Sequence, residues 1–271
     1  MEGIENIRSD DIDDYKDWLY GLYNSGGLKR CISRWMRNFA RGDGLAVKGG
    51  AGGENSAVVY EDEFVIVHFR CITATEQNES ALGRVCNSPV ASLMMPVLGV
   101  GVEYVKYAVC GMLNIEEFSR DAVLSEEASG VIRAGHILDV ARGASCLWLN
   151  VPEGDVFAVQ VSSRRSEKLI WTFDRYTGRA LAVSSASIDA TRTQIVCRTL
   201  ASFDAVSQSP LLCQLARHSP FHFVRMEAIE SLFYLNYPEL MQLMAERAEI
   251  DPHAHVRRAC ERNVERAERI P

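Results

Sequence analysis

The chain has 271 residues, 47% hydrophobic and 24% charged, with a formal net charge of −7. That is enough for one large or two smaller packed domains, and the acidic balance argues against broad nucleic-acid binding. No apolar run reaches the ~18 residues of a membrane span, and the early Asp10, Asp11, Asp13 and Asp14 are wrong for a secretory leader.

Eight scattered cysteines form no CxxC pair. That fits buried free thiols in a reducing compartment, so a cytoplasmic location is expected.

Residues 11 to 40 read as helix. Ile12, Tyr15, Trp18, Leu19 and Leu22 fall at three-to-four spacing, Ser25-Gly26-Gly27 breaks the run, and Leu28, Ile32, Trp35, Met36 and Phe39 form a second stripe. Lys29, Arg30, Arg34 and Arg37 make that second helix basic, in keeping with a surface helix whose cationic stems lie over the core edge. Gly42 to Gly53 holds six glycines with Lys48 ahead of most of them. A phosphate loop needs Gly-Lys followed by Ser or Thr, so this segment is expected to be a loop or hinge.

From Ser56 the period changes. Ala57 to Tyr60, a turn at Glu61-Asp62, and Phe64 to Phe69 read as strand, turn, strand. Val85 to Val100 is apolar but interrupted by prolines and glycines, and its class stays open. Tyr104 to Met112 reads as a strand, and Ile115 to Glu127 as a short helix or exposed loop. Gly130 to Val140, Cys146 to Val151 and Val156 to Val161 are strand-like, with turn chemistry at Pro152-Glu153-Gly154-Asp155. Ser162 to Ser166 reads as a polar loop, a solvated turn in preference to a grip by Arg164 and Arg165 on a carboxylate or phosphate. Arg175-Tyr176-Thr177-Gly178 is expected to close a hairpin with Gly178 in the left-handed region.

After Ser187 the helical period returns. Ser219-Pro220 … Val224-Arg225 recurs 32 residues later as Asp251-Pro252 … Val256-Arg257. The steps Val224, Ala228, Leu232, Leu235 recur as Val256, Cys260, Val264, Ala267, and earlier as Arg192, Val196, Leu200, Phe203. A fixed period in the thirties predicts stacked helical hairpins, with Ser219 and Asp251 as N-caps. On Pro220, Val224-Arg225, Pro252 and Val256-Arg257, residues 189 to 267 resemble HEAT-repeat proteins. That resemblance implies an arginine paired with an acidic group of the next repeat, Glu227 or Asp251.

The whole chain is similar to uncharacterised bacterial proteins that join a β-rich front half to HEAT-like repeats. The shared features are Gly135-His136 with Ala141-Arg142, and Thr191 to Gln194. The β segment also resembles a cupin-like barrel, although the His-x-His motif of metal-binding cupins is missing.

The expected fold class is therefore α+β. Short N-terminal helices and a Gly-rich loop (1–53) lead to an antiparallel β-sandwich or cupin-like barrel (54–187) and HEAT-like α-hairpins (188–271). The leading expectation for function is a non-catalytic accessory protein. It would hold a protein or peptide on the helical surface or at the helix–sheet groove, through Arg225, Arg257, His222 and His255, with no cofactor and with homodimerisation open.

The alternative is a cupin-like enzyme using iron or zinc on a small or peptidyl substrate inside the barrel. His68, His136 and Asp139 (or Glu63) would be ligands, with Arg70 or Arg133 orienting an acidic substrate. No complete nucleophilic motif is present. The last helix interleaves Arg258, Arg262, Arg266 and Arg269 with Glu261, Glu265 and Glu268, which reads as a salt-bridged solvent face and makes nucleic acid an unlikely partner.

Overall fold

The computed structural model describes residues 3–40, 56–73, 83–111 and 116–268. The glycine-rich segment at 42–53 lies outside them. The chain divides into two compact units, Met1–Ala186 and Ser187–Pro271.

The first unit opens with a 3-10 turn, Ile12–Tyr15, then α1 (Lys16–Asn24) and α2 (Gly27–Ala40). The break between the helices falls at Gly26, whose φ of +67° suits a residue without a side chain. Among the described residues eleven strands follow: β1 (Ser56–Glu61), β2 (Val65–Thr73), β3 (Arg84–Cys86), β4 (Val90–Leu98), β5 (Val102–Cys110), β6 (Val123–Ile132), β7 (Leu138–Val140), β8 (Ser145–Asn150), β9 (Asp155–Ser166), β10 (Leu169–Asp174) and β11 (Ala180–Ser185). They form a five-stranded sheet, β1-β2-β9-β4-β7, and two three-stranded sheets, β6-β5-β8 and β11-β10-β3. Among the described residues no sheet closes into a barrel.

Alternation gives the five-stranded sheet two different faces. On the outer face Val65, Val67, Val159, Val161, Leu93 and Met95 pack under Ile4, Tyr15, Leu19 and Leu28, so the N-terminal helices share a core with the sheet. On the inner face Ile72, Met94, Leu138, Val156 and Ala158 meet Val102, Ile132 and Val151 from the side of the β6-β5-β8 sheet.

Local chemistry explains the turns. Asp62 Oδ1 accepts the backbone N–H groups of Phe64 and Val65, both at 2.8 Å, which bends β1 into β2. At the 175–178 hairpin, Asp174 Oδ1 accepts from Thr177 N at 2.7 Å, and Gly178 takes φ +70°. Asn87, 2% exposed, ties the β11-β10-β3 sheet to the turn before β8. Its Nδ2 donates to Gly143 O at 2.9 Å, and its Oδ1 accepts from Trp171 N at 2.7 Å.

Two expectations change in this unit. The segment expected as helix or loop before residue 127 contains β6, which begins at Val123 and pairs with β5. The supposed polar loop at 162–166 is the end of β9. Ser162 and Ser163 are buried there, Arg164 pairs with Glu61 at 2.9 Å, and Arg165 pairs with Asp10.

The second unit comprises α3 (Ile188–Ser202), α4 (Ser209–His218), α5 (His222–Tyr234), α6 (Leu240–Ile250) and α7 (Ala254–Glu268). Val224, Ala228, Leu232 and Leu235 are buried, as are Val256 and Cys260. The first stripe is rotated relative to the periodic expectation. Val196 is 49% exposed and Phe203 79% exposed, while Cys197 and Ala201 face the core. Ser219 and Asp251 do not cap helices. They form turns two residues earlier, accepting from Phe221 N (3.3 Å) and His253 N (2.9 Å), and α5 and α7 start only at His222 and Ala254. Among the described residues no helix is long and apolar enough to cross a membrane.

Candidate functional site

The sheet register assembles a mixed polar and apolar inner face. His68 lies opposite Gln160, Gln160 opposite Met94, and Met94 opposite Leu138, so these four share one row. On the same face, Ser162, Ser92 and Val140 form the next row on one side, and Arg70, opposite Ala158, lies on the other. Arg70 Nη1 donates to Gln160 Oε1 at 3.4 Å, and Gln160 Nε2 donates to Ser162 Oγ at 3.1 Å.

A cavity of about 270 Å³ opens beside this row. One part of its wall is polar: Arg70, Gln160, Ser92, Ser88, Thr73 and Cys86. The other is apolar: Ile72, Met94, Val140, Leu147, Leu149 and Val151. Arg70 is the one ionised side chain among the described lining residues. His68, half-buried beside this wall, has its pKa lowered by burial and then by the positive Arg70, with Glu61 opposing weakly. Its Nδ1 has no hydrogen-bond partner among the described residues.

The structure does not gather the expected metal ligands. Asp139 pairs with Leu93, in the row of Val161 and Val67, whereas His68 is in the alternate row. The two therefore sit on opposite faces of the sheet with β9 and β4 between their strands, three strand spacings or ~14 Å apart. Asp139 instead pairs with Lys106 at 3.6 Å, and His136 and Glu63 are exposed or at the surface of loops. Arg133 is exposed and not part of the cavity wall, so of the two expected anchoring arginines only Arg70 lines it. The described wall offers one thiol, Cys86, and neither imidazole nor carboxylate. This donor set does not fit a mononuclear iron or zinc centre, which takes about three protein ligands.

Metal-capable nitrogens do approach one another in the helical unit. Ligand nitrogens of His222 and His253 lie within 4.8 Å. The two rings stack at 3.8 Å with 3° between their planes. A single ion cannot lie in two parallel ring planes, so one ring must tilt before both ligate.

The expected partner-binding residues are mostly turned inward. Arg225 donates through Nε and Nη2 to Asp251 at 2.8 and 2.7 Å and through Nη1 to Ser219 O at 2.7 Å. Arg257 Nη1 donates to Asp251 O at 2.6 Å, repeating the contact that Arg225 makes with Ser219. His222 is buried, and His255 alone of the four is exposed. Glu227, the other candidate acid, accepts a two-pronged bond from Arg198, both contacts at 2.7 Å.

Sequence reasoning missed Gln160, Ser92 and Ser162 as cavity-side residues. A signal existed: Gln160 and Ser162 keep the alternation of Val156 and Ala158, so a longer β9 places them on one face.

No protein-family model matches the chain, and no curated protein matches it. Several solved structures are similar to it. Hydroquinone 1,2-dioxygenase from Sphingomonas sp. TTNP3 with 4-hydroxybenzoate bound shows 12% identity and a TM-score of 0.30, over 45% of this chain and 72% of its own. An uncharacterised conserved protein with a double-stranded beta-helix domain from Klebsiella pneumoniae shows 15% identity and a TM-score of 0.26, over 50% of this chain and 85% of its own. Recombinant oxalate oxidase in complex with glycolate shows 19% identity and a TM-score of 0.25. In that case the match spans 43% of this chain and about half, 53%, of the other.

The burial of Arg225 and His222 within their own unit corrects the leading expectation of a binder on the helical surface, which drew on both.

Proposed function

We propose that the protein works through its β unit, as a cupin-like enzyme that takes a small molecule into the cavity on the inner face of the five-stranded sheet. The observation that carries this reading is the cavity itself: about 270 Å³, apolar along one wall, with a cation and several hydrogen-bonding groups along the other. Convergent polar groups in an apolar chamber are the usual form of a small-molecule site. The volume suits one compact molecule and not a peptide chain. Arg70 would orient it, with Gln160 aiming the guanidinium and Ser92 and Thr73 supplying hydroxyls. We read the helical unit as HEAT-like in build, and its tight internal ion pairs support a scaffold role.

A fragment library of acidic, neutral and basic compounds, followed by thermal unfolding of the full chain, tests the proposal. Binders should raise the midpoint of the β unit by mass action. If no compound of any charge does so, the cavity is not a ligand site and the proposal fails.

Apart from the cavity, the His222–His253 pair of the helical unit is a candidate metal-donor set of its own. Elemental analysis of protein purified without chelator decides it. About one equivalent of iron or zinc supports it, and less than ~0.1 equivalent removes it.

A further inference from the structure

We infer that the ligand of this cavity presents to Ser92 an oxygen that carries no proton, as in a ketone, ester or ether, and that the Ser92 hydroxyl donates to it. The inference rests on the proposal that the cavity is the functional site, and it names a group the ligand must carry there. Three observations lead to it.

Ser92 is withdrawn from solvent with its hydroxyl on the cavity wall. It is 5% exposed and lines the cavity. Its Oγ makes no hydrogen bond among the described residues, whereas Ser88 Oγ, on the same wall, is committed to Val90 O at 2.6 Å. A buried hydroxyl without a partner destabilises the fold, and a ligand that pairs with it removes that cost.

The polar chain beside it ends in a proton. Arg70 has donors only, so Gln160 turns Oε1 toward Arg70 Nη1 and Nε2 toward Ser162 Oγ, at 3.4 and 3.1 Å. Ser162 accepts there, and its own O–H is the donor left over. Ser162 and Ser92 are direct partners across β9 and β4. An acceptor atom placed between the two hydroxyls takes a proton from each, whereas a donor there would meet the Ser162 proton head-on.

The immediate surroundings of Ser92 are hydrocarbon. Met94 lies two residues along β4 and Val140 lies opposite on β7, both on the cavity wall. Neither offers a strong acceptor, so a ligand O–H or N–H directed at them would lose its water without gaining a partner.

The test sets cyclohexanone against methylenecyclohexane, which has the same shape with a methylene group in place of the oxygen. Each is titrated into the full chain with isotope-labelled methionine methyl groups. The Met94 methyl, assigned with Met94→Leu, reports occupancy of the cavity. The quantity read is the ratio of dissociation constants, alkene over ketone, compared between variants so that the ketone's own hydration cancels. Ser92→Ala should lower the ratio about fivefold, the worth of one neutral hydrogen bond. Ser92→Thr should keep the ratio near that of wild type, and the equally bulky Ser92→Val should fall with the alanine variant. A merely structural Ser92 would weaken both probes alike and leave the ratio unmoved. An unchanged or higher ratio in Ser92→Ala, or equal ratios in the threonine and valine variants, overturns the inference and leaves the cavity a site. Failure of both probes to shift the Met94 methyl also overturns it, while the broader fragment screen decides separately whether the cavity is a site.

Discussion

Asp251→Ala should unfold the helical unit at much lower denaturant or temperature. Asp251 has no exposed side-chain surface and Arg225 only 4%. The carboxylate accepts both forks of Arg225 and also the backbone N–H of His253 at 2.9 Å. Truncation leaves a guanidinium in a dry interior with Ser219 O as a remaining acceptor. Breaking a buried ion pair by removing one partner costs about 3–5 kcal/mol, and losing the turn hydrogen bond adds ~1 kcal/mol. At about 4 °C or more per kcal/mol for a unit of this size, the midpoint should fall by roughly 15 °C or more.

Helical far-UV circular dichroism follows the loss. All four tryptophans, Trp18, Trp35, Trp148 and Trp171, precede Ser187, so tryptophan emission reports the β unit and serves as an internal control. The paired change Arg225→Met with Asp251→Leu should recover most of the stability, because Arg225 is no longer stranded and Arg247, 3.9 Å from the same carboxylate, keeps Glu246. Arg198→Ala provides the contrast. Its bonds to Glu227 are as short and its own side chain is 68% exposed, but Glu227 is only 6% exposed, so the loss should lie between the ~1 kcal/mol of a surface pair and that of Asp251→Ala. An Asp251→Ala protein within ~1 kcal/mol of wild type would refute the reasoning, since the pair would then not be desolvated.

Asn87→Ala should cost about 2–4 kcal/mol in the β unit, because Trp171 N and Gly143 O both lose their partner in a buried setting. A shift under ~0.5 kcal/mol in tryptophan-detected unfolding would mean that water replaces the amide.

Thiol titration should find Cys86 and Cys110 fast and Cys146, Cys197, Cys213 and Cys260 silent until unfolding. Burial pushes Cys146 up to about 12 and Cys197 and Cys260 to about 11. The fold therefore favours the neutral thiol. That contribution is complete below the unfolded thiol pKa of ~8.5 and is lost as pH rises toward 11 and 12. Cys146→Ala should show a shallower alkaline decline than wild type, and identical slopes would count against the burial argument.

His68, depressed by burial and by Arg70, contributes in the opposite sense. Its share of stability is present above the unfolded histidine pKa of ~6.5 and disappears as pH falls through the lowered folded value. His68→Gln should flatten that acid limb, measured by urea unfolding across the range.

Local chemistry made much of the fold legible. The 175–178 hairpin follows from Asp174, Thr177 and Gly178, and the β1–β2 turn from Asp62, because those signals act within a few residues. The helix break at Gly26 is of the same kind. What the repeat period could not supply was rotation about a helix axis. Val224 and Val256 are buried, but α3 turns Cys197 and Ala201 toward its neighbour α5, since small side chains let two helices approach. Phe203 falls at the end of that helix, where it is exposed. The Ser219 and Asp251 turns displaced both helix starts for a related reason: an oxygen two residues ahead of a free N–H closes a turn as readily as it caps a helix.

The candidate site was less legible because it depends on which strands adjoin. Sequence order puts β2, β4, β7 and β9 far apart, and only the order β2-β9-β4-β7 sets His68 beside Gln160 and takes Asp139 to the far edge. A triad drawn from residue types alone had no means of seeing that one intervening residue places Asp139 on the other face from Leu138 and Val140. The same alternation supplies the argument for function. On the outer face apolar side chains meet apolar helices, with Val67, Val161 and Leu93 sealed under Leu19 and Leu28. On the inner face the same three strands carry Arg70, Gln160, Ser162 and Ser92. Fold stability alone would favour hydrocarbon on both sides, because a cation beside an apolar core carries a desolvation cost. Keeping those polar side chains next to a chamber is the local departure from packing logic that marks a working surface.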